Sequence, residues 1–133
     1  MQSNQLTWRT FYQKLGHLFY AIAASDNKIT PAEVAELDRL VKTEWVKLED
    51  SKDDFGTDMA YQIEIVFDWL QEETPNPDSA FEAFSEFFKQ HPHFFNEDLK
   101  IKVLNTAIAI TYAFRGKNKS EEAYISRLKE LLA

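Results

Sequence analysis

Apolar residues recur through this chain at steps of three and four, and no segment alternates at steps of two, so the pattern specifies helices and no strands. Trp8, Phe11, Tyr12, Leu15, Leu18, Phe19 and Ile22 fall on one stripe and predict a first helix over 7–24. Thr30-Pro31-Ala32-Glu33 reads as the next helix start, with Thr as N-cap, Pro at the first helical position and Glu reaching back in a capping box. Val34, Leu37, Val41, Trp45 and Leu48 then face inward. The charged stretch 49–56, which holds Gly56, reads as a solvated turn. Met59, Ile63, Val66, Phe67 and Leu70 make a third stripe. Thr74-Pro75-Asn76-Pro77 closes it, because proline disfavours helix in the residue before it, and Asp78 is expected to cap the next helix.

Phe81, Phe84, Phe87 and Phe88 mark a short fourth helix over 79–90, stopped by Pro92. Asn96 caps a fifth, whose run VLNTAIAITYAF is apolar nearly all round and is expected to be the core element. Ser120 opens the last helix, with Tyr124, Ile125, Leu128, Leu131 and Leu132 inward. The expected fold is therefore all-α, a compact single-domain bundle of six to seven helices spanning 1–133. A chain of this length buries roughly two-thirds of the surface its unfolded form exposes, and a hydrophobic fraction of 44% with 14% aromatic residues supplies the core. A weak internal likeness relates the turn after Ala21-Ile22-Ala23-Ala24 to the turn after Tyr112-Ala113-Phe114, which implies two related helical hairpins rather than a solenoid.

A net charge of −7 repels phosphate backbones and anionic membrane surfaces, so the expected partners are cations and basic proteins, with no nucleic acid. The apolar run 103–114 is too short to span a bilayer, which argues against membrane insertion. Residues 1–7 lack the basic and apolar regions of a signal peptide, and the absence of cysteine removes disulfides, thiol nucleophiles and thiolate zinc sites. A cytoplasmic address is the simplest expectation. No phosphate loop, HExxH or Gly-x-Ser-x-Gly elbow is present, so the chain is expected to be non-catalytic.

The segment Ala23-Ala24-Ser25-Asp26-Asn27-Lys28-Ile29-Thr30-Pro31-Ala32-Glu33-Val34 places Asp26 and Glu33 seven apart around a tight interhelical turn. An EF-hand register fails, because setting Glu33 at position twelve puts Ile22 and Ala24 at positions one and three. Capping accounts for Glu33, and Asn27 suits a left-handed helix end. Asp26, however, follows a helix C-terminus that is already partly negative, a conflict that Lys28 or a weakly bound calcium or magnesium ion would relieve.

The same segment resembles the TerB-like family of bacterial tellurite-resistance proteins, in which an alanine-rich helix runs into an acidic turn, an Ile and a Thr/Ser-Pro-x-Glu helix start. The likeness covers the first helix through the second, about a quarter of the chain. It implies an all-helical, roughly two-fold repeated fold, cytosolic stress-linked roles, and occurrence as an accessory domain in co-chaperones. It also implies a divalent cation at Asp26 and Glu33. Two positions depart from the family pattern: Asn27 stands where glycine is usual, and the second turn reads Arg115-Gly116-Lys117-Asn118-Lys119 where acids would be expected.

Three further features invite function. Glu49, Asp50, Asp53, Asp54 and Asp58 form the densest acidic run, suited to a cation or a basic protein partner. Phe81, Phe84, Phe87, Phe88, Phe94 and Phe95 exceed what one narrow stripe can bury, which makes Phe87 and Phe95 candidates for a partner surface or homodimer seam. His91 and His93 would leave the same face if Pro92 held the chain extended, the one arrangement that supports a small metal-dependent hydrolase.

Overall fold

The computed structural model describes residues 2–26, 28–46, 59–113 and 119–133. All regular structure among them is helical: α1 (Gln2–Ala23), α2 (Pro31–Leu40), α3 (Gln62–Glu73), α4 (Pro77–Gln90), α5 (Glu97–Ala113) and α6 (Lys119–Leu132). A π-helical turn, Val41–Trp45, continues α2, and 3₁₀ turns at Met59–Tyr61 and Pro92–Phe94 lead into α3 and follow α4. The all-helical fold read from the sequence is the one observed.

The core element is α1, not α5. Every residue from Leu18 to Ala24 is buried, so the last turns of α1 are enclosed on all sides, and α1 as a whole packs against α3, α4, α5 and α6. By contrast α5 buries Leu99, Val103, Thr106, Ala107, Ile110 and Thr111 on one side and leaves Ile101 and Tyr112 more than half exposed. Small residues allow this enclosure. A Cβ on Gly16 would lie 2.8 Å from the Ile63 carbonyl oxygen and 2.9 Å from Val66 Cβ, so α1 and α3 approach as closely as a missing side chain permits.

At one end of α1, Trp8 and Phe11 meet Phe87, Phe94 and Phe95 in an aromatic cluster with several edge-on contacts, such as Trp8–Phe94 at 4.7 Å between centroids, and Tyr12 packs on Trp8 and Phe11. The π-helical turn brings Val41 and Trp45 inward together, and the Trp45 indole Nε1–H donates to Thr106 Oγ1 of α5 at 3.0 Å. At the other end, the Tyr20 hydroxyl donates to the Pro75 carbonyl at 2.8 Å, tying α1 to the α3–α4 connection. That connection turns at Thr74, which sits in the left-handed region at φ 49° before Pro75 prevents further helix.

Asn76, rather than Asp78, caps α4, its side chain accepting from the Asp78 N–H at 2.7 Å. Pro77 takes the first helical position, and the residue before such a proline is the natural cap. Asp78 instead accepts from the Tyr124 hydroxyl and from Arg127 of α6, whose guanidinium lies over the Phe81 ring at 4.4 Å. Burial and the neighbouring Asp78 carboxylate push the Tyr124 phenol up to about 12. Asn96 caps α5 as expected, accepting from the Leu99 N–H at 2.8 Å. The second turn of the expected internal likeness, at 114–118, lies outside the described residues.

The α1–α3 contact is testable through Gly16→Ala. Overpacking of this kind costs about 1–3 kcal/mol, against about 1 kcal/mol that alanine returns in helix propensity. Because a backbone carbonyl is the first atom struck, net destabilisation is expected, read as a lower midpoint in urea with unchanged far-UV circular dichroism.

Candidate functional site

The acidic interhelical turn is a closed cap. Thr30 N–H donates to Glu33 Oε1 at 2.9 Å, Glu33 N–H donates to Thr30 Oγ1 at 3.2 Å, and the Thr30 hydroxyl lies 3.2 Å from the same carboxylate oxygen. Glu33 is 2% exposed, so an ion seated on it would have to draw the carboxylate away from the cap. Asp26 is exposed, and its Oδ1 accepts from the Lys28 N–H at 3.1 Å in a local turn. Asn27 lies outside the described residues. Among the described residues, no three of His, Asp and Glu gather in an arrangement able to hold a metal ion.

The histidine pair does not converge. Pro92 begins a 3₁₀ turn instead of holding the chain extended, so alternate side chains no longer leave one face. The His91 ring packs on Phe87 at 4.5 Å while His93 is exposed. Phe87 and Phe95 are each 4% exposed, so neither presents the partner surface expected of it. The aromatic wall from α1 and the Pro92–Phe94 turn bury more rings than one helical stripe could. Asp50, Asp53 and Asp54, with Glu49 and Asp58, lie outside the described residues.

The surface that sequence reasoning missed is the outer side of α3. Ile63, Phe67 and Leu70 are the buried side of this helix, whereas Ile65 and Trp69, four apart and therefore stacked on one face, are each 56% exposed. Asp68, Glu72 and Glu73 are exposed beside them, and α3 contains no lysine or arginine. The sequence signal is present: two large apolar residues sit off the inner stripe of a helix whose polar residues are acids and glutamines. Beside Trp69, a groove of about 400 Å³ runs between α3, α1 and α4, lined in part by Leu70, Glu73, His17, Ala80 and Ala83. His17 donates Nδ1–H to the Gln13 carbonyl at 3.0 Å, and burial, with a smaller effect of Lys14, makes its protonation harder than usual.

On the other flank of α3, Glu64 hydrogen-bonds Asp38 of α2, and Lys42 Nζ lies 3.1 Å from Asp38 Oδ2. Burial first, then the bond and charge of Asp38, raise the Glu64 carboxyl to about 7, with Asp68 adding to the rise and Lys42 opposing it. Asp38 is held below its ordinary value by the Glu64 hydrogen bond and then by Lys42. Of the two carboxyls, Glu64 is thus the one that keeps its proton to higher pH. Comparison with protein-family models, with curated proteins and with solved structures returns no match.

Because the folded chain holds the Glu64 proton at a pH where an unfolded glutamate, at 4.5, has released it, stability from this group is present below about 4.5 and falls as pH rises to about 7. Asp38 acts in a separate window, losing its contribution only when acidified through its lowered value. Glu64→Gln keeps a donor toward Asp38 and cannot ionise. Thermal melts are expected to give the variant the higher Tm at pH 8, with the two proteins converging toward pH 5; a constant offset across that range would contradict the raised Glu64 value.

Proposed function

We propose that this domain is a non-catalytic interaction module that engages a positively charged protein partner through the acidic side of α3. The observation that carries this reading is the contrast between α3 and the rest of the described surface. Elsewhere six acids sit beside bases, Glu36 with Arg39, Asp38 with Lys42, Glu97 with Lys100, Glu44 with Lys102, and Asp78 and Glu82 with Arg127, while the exposed acids outside such pairs, Glu86 of α4, Asp98 of α5 and Glu130 of α6, occur one to a helix. Among the described residues, Asp68, Glu72 and Glu73 have no ion pair. Glu72 and Glu73 also occupy the last turn of α3, where the helix dipole is already negative and each added acid is unfavourable by about 0.3–1 kcal/mol.

A cationic partner relieves both penalties when it docks, and the net charge of −7 steers such a partner toward the domain. The likeness of residues 23–34 to TerB-like proteins supports a stress-linked setting for the interaction. No helix among the described residues is long and apolar enough to cross a membrane.

The expected signature is opposite movement of stability and affinity. Glu72→Lys and Glu73→Lys should each stabilise the free domain by about 0.3–1 kcal/mol. Together with Asp68→Lys they should weaken binding of a fluorescent oligolysine at least tenfold in moderate salt, measured by anisotropy. A control reversal of Glu86, Glu97 and Glu130, equal in net charge, should weaken it far less. Equal losses from the two triple variants would mean that net charge alone is sensed and that α3 is not the site.

A further inference from the structure

Resting on that reading, we infer that the α3 surface receives one basic amphipathic helix from another protein, whose apolar side chains seat on Ile65 and Trp69 and whose largest enters the groove between α1, α3 and α4. Ile65 and Trp69 are four residues apart, or about 6 Å along the axis, which matches the spacing at which a facing helix presents successive apolar residues. Both are 56% exposed, and Trp is the residue type that most often carries the energy of a protein contact. The groove beside Trp69, about 400 Å³, has Leu70, Ala80 and Ala83 in its lining. Glu73 also lines it, so this recess offers apolar contacts to a side chain seated in it with an acid beside them.

Charge specifies the remainder of the partner. Asp68 lies to one side of the Ile65–Trp69 line and Glu73 to the other, with Glu72 a turn beyond Trp69. A helix with an apolar stripe bordered by lysine or arginine on both edges therefore meets apolar with apolar and base with acid.

A second copy of this chain fits poorly. A two-fold contact sets the same patch against itself, placing Asp68, Glu72 and Glu73 against their own equivalents. An anionic membrane is repelled by the same acids. Among the described residues, the other exposed large apolar side chains, Ile101 and Tyr112, lie three turns apart on one side of α5 with half-buried Ile108 between them, and exposed Asn105 interrupts the line. Lys102 lies next to Ile101, so that side lacks the group of unpaired acids that borders Ile65 and Trp69.

The test uses an 18-residue peptide of leucine and lysine with leucine at helical spacing, and an isomer of the same composition with the leucines dispersed round the helix. The amphipathic peptide is expected to bind at least tenfold more tightly than the isomer. In ¹H–¹⁵N spectra it should shift the indole signal of Trp69 while leaving that of buried Trp45 in place. Trp69→Ala with Ile65→Ser should abolish the preference between the two peptides while leaving the circular dichroism spectrum and Tm close to those of the parent, since both side chains are mostly in solvent.

If the parent binds both peptides equally and Asp68, Glu72 and Glu73 still govern the affinity, the apolar seat is overturned and the electrostatic reading survives. Should the amphipathic peptide prefer the parent chain but ignore reversal of those acids, the proposed function itself fails. Self-association in sedimentation that Trp69→Ala removes would make the occupant a second copy and overturn the inference.

Discussion

The enclosure of α1 is the constraint on which the other helices depend. A helix whose final turns are buried on every side needs neighbours on every side, and Leu18, Phe19, Tyr20, Ala21, Ile22, Ala23 and Ala24 supply apolar surface all the way round. Close approach is set at Gly16, where Ile63 and Val66 of α3 fill the space of a side chain. That contact fixes the rotation of α3 about its own axis. With Ile63, Phe67 and Leu70 turned to α1, residues 65, 68, 69 and 72 can only face outward. The candidate surface is thus a geometric consequence of the core, held by a rigid helix and not by a loop.

The interhelical turn shows how a motif can be informative about structure and quiet about function. Thr30, Pro31 and Glu33 satisfy the exposed donors at the start of α2, and the reciprocal bonds between Thr30 and Glu33 account for the burial of the carboxylate. A cap worth about 1 kcal/mol is reason enough for a chain to use Thr-Pro-x-Glu at this point.

Legibility in the sequence follows the strength of the local physics. The stripes of α3, α4 and α6, the cap at Asn96 and the helix start at Thr30 are readable because periodicity and capping act within a few residues. The core element is misassigned from sequence because alanine is ambiguous: Ala21, Ala23 and Ala24 mark close packing, whereas the apolar run in α5 includes Ile108 and Tyr112 without burying them. At the start of α4 the helical stripe suggests Asp78 as the cap, although Pro77 points to Asn76. The fate of Phe87 and Phe95 depends on Trp8, Phe11 and Phe94, a contact between distant segments that no local pattern encodes. For the same reason the pairing of Glu64 with Asp38 across two helices is invisible in the sequence.

The outer side of α3 runs against several local preferences at once. Two acids close the helix at its negative end, a third precedes them without a base among the described residues, and two large apolar side chains stand in water beside them. Each departure is small, of order 1 kcal/mol or less, yet all are confined to one face of one helix. Three other helices carry a base in the last turn, Arg39 in α2, Lys89 in α4 and Lys129 in α6, and the last turns of α1 and α5 hold neither base nor acid. A chain whose local choices otherwise agree with its fold concentrates disagreement where another requirement acts on it. Since the inner side of α3 is already specified by α1, that requirement has to come from outside the described core, and a cationic helix with an apolar stripe is the simplest body that answers both the charge and the exposed tryptophan.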